Sequence, residues 1–321
     1  MNEINNNKKV VNVIPGSDYV TDDLVKYPLT NMILAGTTGS GLSNIVNNII
    51  MSLVNNTSPR DLSIEMYCAL DLHSKTFPWL NENRTIPHFS MQSYVAGAEW
   101  LRIEEIAMII SALEIAAKKD DDFDEKVSDK RVLLIVDVRG SDVTYPQRRV
   151  LEYIAKFGPR FGVNLFLITY STDELDYVLE HTPLRLFTRG YGNSSEMVLK
   201  CDIGLNEKQS HGFVWVFDAN KPYEYKKLNV KFYPDTFLNK YCKVFSTKYL
   251  IEDEGWYGTY TKKFRDGSLT AKDLPFIPLF YELTEDMPYV SAVAIEHNME
   301  LIEGLPLPEL RAKYLNLLLG I

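Results

Sequence analysis

Eight consecutive residues, Gly36-Thr37-Thr38-Gly39-Ser40-Gly41-Leu42-Ser43, constrain the fold of this chain more than any other stretch. They follow Asn31-Met32-Ile33-Leu34-Ala35, a mostly apolar run of strand length. They precede Ile45, Ile49, Ile50 and Leu53, whose helical spacing predicts a helix over residues 43–54. A strand that enters a glycine-rich turn and leaves as a helix is the setting of a phosphate-binding loop, whose pattern is Gly, four residues, Gly-Lys, then Ser or Thr. The glycines let backbone N–H groups converge on phosphate oxygens, helped by the N-terminal end of the helix. Residues Gly36, Thr37, Thr38, Gly39, Ser40, Gly41, Leu42 and Ser43 are therefore the candidate nucleotide-binding set, with the Ser43 hydroxyl as a magnesium ligand.

One defined position departs from the pattern. Leu42 stands where the lysine that reaches the β- and γ-phosphates belongs. A unit charge about 4 Å from another is worth about 4 kcal/mol at an effective dielectric of about 20, or roughly a thousandfold in rate. Phosphoryl transfer depends on such electrostatics, so the loss is severe for catalysis. ATP and magnesium are expected to be held weakly if at all.

Downstream, the aliphatic run 132–136 ends at Asp137, the acid expected to complete a magnesium site with Ser43. Val138 follows it, where a general-base glutamate would be useful; valine neither accepts a proton nor orients water. The continuous aliphatic run 132–136 suits a strand buried on both faces of a parallel sheet; 163–168 reads as another buried strand, and 64–70 is a further, largely apolar run. Residues 184–187 and 213–217 are further strand candidates. Between them, 96–119 reads as a long helix with Leu101, Ile106, Ile109, Ile110 and Leu113 buried, and Pro146 opens another carrying Val150, Leu151, Ile154 and Phe157. Alternating strands and helices predict an α/β domain with a mainly parallel sheet flanked by helices. The pattern loosens after residue 217. The division expected is a core at 1–217, with a lead-in at 1–27, and a mixed extension at 218–321.

Composition narrows the function classes. Forty-five per cent hydrophobic residues in 321 is enough to build a core, and no apolar run reaches the roughly 18 residues of a membrane span. The start, Met1-Asn2-Glu3-Ile4-Asn5, lacks a signal-peptide core, and Cys68, Cys201 and Cys242 form no CxxC pair, so reduced thiols in a cytoplasm are expected. With 43 acidic and 34 basic residues the net charge is −9, against coating nucleic acid by bulk charge, although a local basic patch for DNA is compatible with it. The charged stretch 118–126 reads as a solvated loop. Trp256, Tyr260 and Phe264 share one face of an extended segment, read as packing rather than a nucleic-acid surface. The five histidines have no metal spacing and read as surface or capping residues.

These residues resemble the motor domain of the FtsK/SpoIIIE family, hexameric P-loop ATPases that translocate DNA or drive protein export. The most specific match is Leu34-Ala35-Gly36-Thr37-Thr38-Gly39-Ser40-Gly41, similar to the family's AGTTGSG. Asp22-Asp23-Leu24-Val25-Lys26-Tyr27-Pro28, Ser58-Pro59-Arg60-Asp61-Leu62, Ile86-Pro87-His88 and the run 160–169 are similar to family segments, and Arg185 sits where the family has an arginine before a strand. The likeness runs over residues 13–217 and implies a RecA-like core, ATP and magnesium as cofactors, and a ring of subunits.

Four departures fall on positions the family uses for chemistry: Leu42, Val138, Tyr170-Ser171-Thr172 in place of the sensor's Gln-Arg-Pro, and Asn193-Ser194-Ser195 in place of Asp-Ser-Arg. Together they imply a pseudo-ATPase that scaffolds or regulates a DNA-translocation, conjugation or secretion machine, with other subunits of that machine as partners. Two alternatives stay open. One is a working ATP-dependent translocase that takes its cation from elsewhere, with Lys26, Arg139 and Arg189 as candidates. The other is a protein-binding module that no longer takes nucleotide.

Overall fold

The computed structural model describes residues 10–58, 61–68, 77, 88–89, 99–117, 131–140, 142–170, 175–190, 194–199, 212–221 and 225–249. The aliphatic run 132–136 and the largely apolar run 163–168 become β5 (Arg131–Asp137) and β6 (Val163–Thr169), strands buried along both faces as a doubly covered sheet requires. They join β4 (Leu62–Cys68), β3 (Met32–Ala35) and β7 (Leu184–Phe187) in the order β4-β5-β6-β3-β7, and every one of these pairings is parallel. Successive β3 side chains alternate between two cores. Met32 and Leu34 join α1 (Leu42–Asn56) on one face, while Ile33 and Ala35 join α2 (Glu99–Ala117) and α3 (Tyr145–Phe157) on the other.

The helices follow the apolar spacing. Ile45, Ile49, Ile50 and Leu53 of α1 are buried, as are Ile106, Ile110 and Leu113 of α2. Ile103 and Ala107 are also buried, which adds a second row to the stripe expected on α2. At the start of α3, beside Pro146, the Gln147 side chain accepts the Thr144 N–H at 2.9 Å and so satisfies an end that would otherwise be open.

The parallel character expected of most of the sheet belongs to the half that carries the phosphate loop. Beyond β7 the nine-stranded sheet continues through β8 (Phe213–Asp218), β9 (Tyr225–Asn229), β1 (Asn12–Asp18) and β2 (Leu24–Pro28), all antiparallel. Strands β1, β2 and β9 carry no long apolar run. Pro15-Gly16 interrupts β1 and its register with β2 shifts between Val13 and Gly16, so neither period 2 nor a continuous run marks it. Buried packing also continues past residue 217. Leu228 of β9, with Leu238 and Cys242 of α6 (Asp235–Tyr249), lies in the α1-side core. Asn44 and Asn48 of α1 donate to the Lys231 carbonyl at 2.9 and 2.8 Å, tying the connection before α6 to the helix. Residues 250–321, including the aromatic alternation at 256–264, lie outside the described residues, as does the charged stretch 118–126.

A single buried amide locks the centre of the parallel half. Asn31, 2% exposed at the entrance to β3, donates to the carbonyls of Ala155 and His181 at 2.6 and 2.7 Å and accepts the Leu165 N–H at 2.9 Å. It thus joins α3, β6 and the segment before β7. Asn31→Ala should cost about 2 kcal/mol, because it strands the buried Leu165 N–H, the buried Ala155 carbonyl and the half-buried His181 carbonyl. A urea midpoint equal to wild type would contradict that role.

Candidate nucleotide-binding site

Three strand ends set the site. The parallel register aligns Ala35 with Thr169, and Asp137 with Ile168. The carboxyl ends of β3, β6 and β5 therefore lie side by side, and the loop 36–41 leaves the first of them beside the crossover to β7. A ligand crevice in an open α/β sheet forms at such a switch point.

The loop is held from β6 and β7. The Gly36 N–H donates to the Thr169 carbonyl at 3.4 Å, and the Thr37 N–H to the Arg189 carbonyl at 2.7 Å. The Ser40 N–H closes the turn on the Thr37 carbonyl at 3.1 Å. The Thr188 hydroxyl donates to the Ser40 hydroxyl at 2.7 Å, both side chains being buried. Gly39 and Gly41 have φ of 76° and 92°, the left-handed region that side chains disfavour, and a Cβ at either would meet open space. Gly41 is the N-cap of α1; no side chain caps that end, and the first turn holds no acid. The first-turn N–H groups have no acceptor within the helix, so its positive pole is left for an external anion.

The two positions at which a lysine and a glutamate were expected, Leu42 and Val138, are both core positions. Leu42 is 3% exposed within the α1-side cluster, and Val138 is 5% exposed within the cluster on the opposite face. The Val138 N–H donates to the Ile168 carbonyl at 2.9 Å, which extends the β5–β6 ladder one residue past Asp137.

Ser43 and Asp137 do come together, through Arg139. Its Nε and Nη2 donate to the two oxygens of Asp137 at 2.8 and 2.6 Å, and its Nη1 donates to the Ser43 hydroxyl at 2.9 Å. The ion pair is buried, with 8% and 5% side-chain exposure. The guanidinium lies 5.7 Å from the ring centroids of both Phe77 and Tyr170. Burial opposes the charge of Arg139, but the hydrogen bond and charge of Asp137 outweigh it, and the guanidinium is held more firmly protonated than usual. As placed, these residues do not fit a magnesium ion: both carboxylate oxygens and the serine hydroxyl that would bind it are engaged by a fixed cation.

The other named residues have different positions. Lys26 is exposed on β2, at the sheet edge farthest from the parallel half. Arg189 adjoins the loop through its carbonyl, and its Nε is buried without a hydrogen bond among the described residues. Arg185 is buried and turns inward, donating to the carbonyls of Leu179, at the end of the short helix α4 (Asp176–Leu179), and of Thr182 at 2.8 and 3.1 Å beside the Phe217 ring. It supports the chain before β7 rather than facing the phosphate loop. His88 is a buried cap rather than a surface residue: its Nε2 lies 2.8 Å from the carbonyl of Thr57, the residue that ends α1. Cys68 and Cys242 are buried and form no disulfide; Cys201 lies outside the described residues. Among the described residues no three His, Cys, Asp or Glu side chains cluster as a metal site, and no helix is long and apolar enough to cross a membrane. Of the sensor segment only Tyr170 is described; Ser194 and Ser195 open α5 (Ser194–Leu199), and Asn193 lies outside.

Sequence reasoning missed Thr188 and Phe77. Thr188 follows a recognised strand, and its proximity to the loop depends on β7 pairing with β3. Phe77 stands in no recognisable motif.

Residues 5–114 match the FtsK/SpoIIIE family. No curated protein matches the chain. Among solved structures, the cytoplasmic domain of the Thermomonospora curvata type VII secretion ATPase EccC aligns at TM-score 0.55 and 13% identity, covering 73% of this chain and 31% of that one. EssC ATPases 2 and 3 from Geobacillus thermodenitrificans align at TM-score 0.55 and 11% identity, covering 74% and 48%. EccC ATPases 2 and 3 of Thermomonospora curvata with a signal sequence peptide align at TM-score 0.53 and 16% identity, covering 77% and 48%. The chain thus spans less than half the length of each, and at these identities the likeness is one of fold. The glycine loop, the parallel strand ends and the matched segment agree: residues 5–114 are similar to the FtsK/SpoIIIE family, and the chain shares the α/β fold of these ATPase domains.

Proposed function

We propose that the chain is a non-catalytic FtsK-like subunit that binds a nucleotide phosphate through its loop backbone and scaffolds or regulates a translocation or secretion machine. The observation that carries this reading is the burial of Leu42 and Val138 in opposite cores, while the uncapped helix end and left-handed glycines of the loop are kept. A position that has merely lost its catalytic side chain leaves a gap or a polar stub. Here both have become part of the packing. Phosphate binding needs only the backbone N–H groups and the helix pole. Transfer needs the missing charge and base as well.

The partners that suit this reading are other subunits of the same machine in a cytoplasm, in a homo- or hetero-oligomeric ring. EccC, whose structure with a signal sequence peptide shares the fold, supports secretion as one such setting. A second reading, an active ATPase that borrows Arg139 as its cation, is favoured by the 2.9 Å bond from that guanidinium to Ser43.

One titration separates these readings. ATP is expected to bind the full-length protein while phosphate release stays at background with or without DNA. Turnover above background that disappears in Asp137→Ala would establish the active reading instead. Absence of ATP binding at any attainable concentration would leave the loop as a strand-to-helix turn in a protein-binding module.

A further inference from the structure

We propose that Arg139 is a resident cation in the divalent-metal position, and that this site takes nucleotide phosphate without magnesium. The inference rests on the nucleotide reading above and goes beyond it, because it assigns the charge that replaces the metal.

The geometry carries it. Arg139 satisfies the Ser43 hydroxyl and both Asp137 oxygens from one planar group, at 2.6 to 2.9 Å. Its own backbone N–H also donates to Asp137, at 3.1 Å, so the carboxylate is bound to a segment only two residues away. That closeness makes the pair local: no domain movement is needed to form it. The guanidinium also lies within cation–π range of the Phe77 and Tyr170 rings, 5.7 Å from each centroid. To enter, a magnesium ion would have to shed water, break three charge-assisted hydrogen bonds and leave the arginine charge buried and unpaired. Removing one partner of a buried pair is costly, whereas keeping the pair costs nothing further.

The guanidinium is also equipped for phosphate. Of its five N–H groups, three are used by Asp137 and Ser43, and one on each Nη remains among the described contacts. The Ser43 hydroxyl places this fork at the start of α1, beside the loop glycines. Asp137 cancels most of the arginine charge, so the site offers hydrogen-bond donors and a helix pole rather than the net positive charge of a metal–lysine site. Affinity for ATP should accordingly be modest, and it should not depend on metal.

The experiment is calorimetric titration of ATP into the full-length protein, once with excess EDTA and once with excess magnesium. Dissociation constants within about twofold of each other are expected. A constant at least about tenfold weaker in EDTA, equivalent to about 1.4 kcal/mol, overturns the proposal while leaving nucleotide binding intact. No binding in either buffer overturns the nucleotide reading and this inference with it, a result distinct from metal dependence. Arg139→Gln supplies the second arm: with Ser43 and Asp137 released, its ATP affinity should become at least about tenfold stronger in magnesium than in EDTA. An Arg139→Gln protein that binds ATP equally in both buffers overturns the assignment to Arg139. The wild-type comparison needs no variant, so a poorly folded substitution does not remove the test.

Discussion

Val138→Glu, the change that nominally restores a general base, should unfold the protein rather than activate it. Val138 is 5% exposed in the core between the sheet and helices α2 and α3, so the new carboxylate is carried into an apolar layer. A buried, unpaired charge together with excess volume belongs to the few mechanisms that cost about 4 kcal/mol or more. The penalty has a definite pH dependence. Desolvation raises the folded-state pKa of such a glutamate above its unfolded value of about 4.3. The unfolded chain then releases its proton first, and stability falls as pH rises from the unfolded towards the folded pKa. Urea midpoints at pH 5 and pH 8 should therefore diverge for Val138→Glu, while Val138→Gln should be destabilised without that added slope. Wild-type stability at pH 8, or ATP turnover appearing in the variant, would refute the account. The same logic makes Leu42→Lys a poor rescue, since Leu42 is 3% exposed in the opposite core.

Gly36→Ala should abolish ATP binding and lower stability by about 3 kcal/mol, the upper end of the overpacking range. A Cβ on Gly36 would stand 2.0 Å from the Thr188 hydroxyl oxygen, 3.0 Å from that of Ser40 and 3.2 Å from the Arg189 carbonyl. Thr188 cannot turn away without leaving Ser40, and the carbonyl of Arg189 is fixed by the Thr37 N–H. The loop must therefore lift off β7, which moves the backbone N–H groups on which the proposed phosphate binding depends. Partial recovery is expected in Gly36→Ala with Thr188→Ala, because the nearest obstacle is then gone. A double-mutant cycle measures this directly, and strictly additive effects would show that the contact does not govern the loop.

Much of the parallel half was legible in the residues. The continuous aliphatic run 132–136 and the largely apolar run 163–168, both of strand length, suit strands covered on both faces, and β5 and β6 are such strands. The glycine loop was equally plain, because its left-handed turns at Gly39 and Gly41 demand residues without a Cβ. The antiparallel half was not. Strands β1, β2 and β9 are partly exposed, and although β1 pairs with its neighbour β2 and β9 with its neighbour β8, their place in the sheet depends on the distant pairing of β1 with β9, as when Ser17 meets Asn229. Nothing local distinguishes such a segment from a loop.

Arg139 shows the same boundary at the level of one side chain. Loss of the lysine and of the glutamate could be read from Leu42 and Val138 alone, since residue type sets what chemistry a position can perform. The sequence also named three cations, Lys26, Arg139 and Arg189, as equal substitutes. Only the sheet order decides among them, by setting Lys26 on the far edge and bringing the end of β5 within reach of α1 across β6. Local patterns encode which groups exist and which turns they permit, because sterics and periodicity act over a few residues. The bond from the Arg139 guanidinium to Ser43 joins residues 96 positions apart, and it exists only once the strands have aligned.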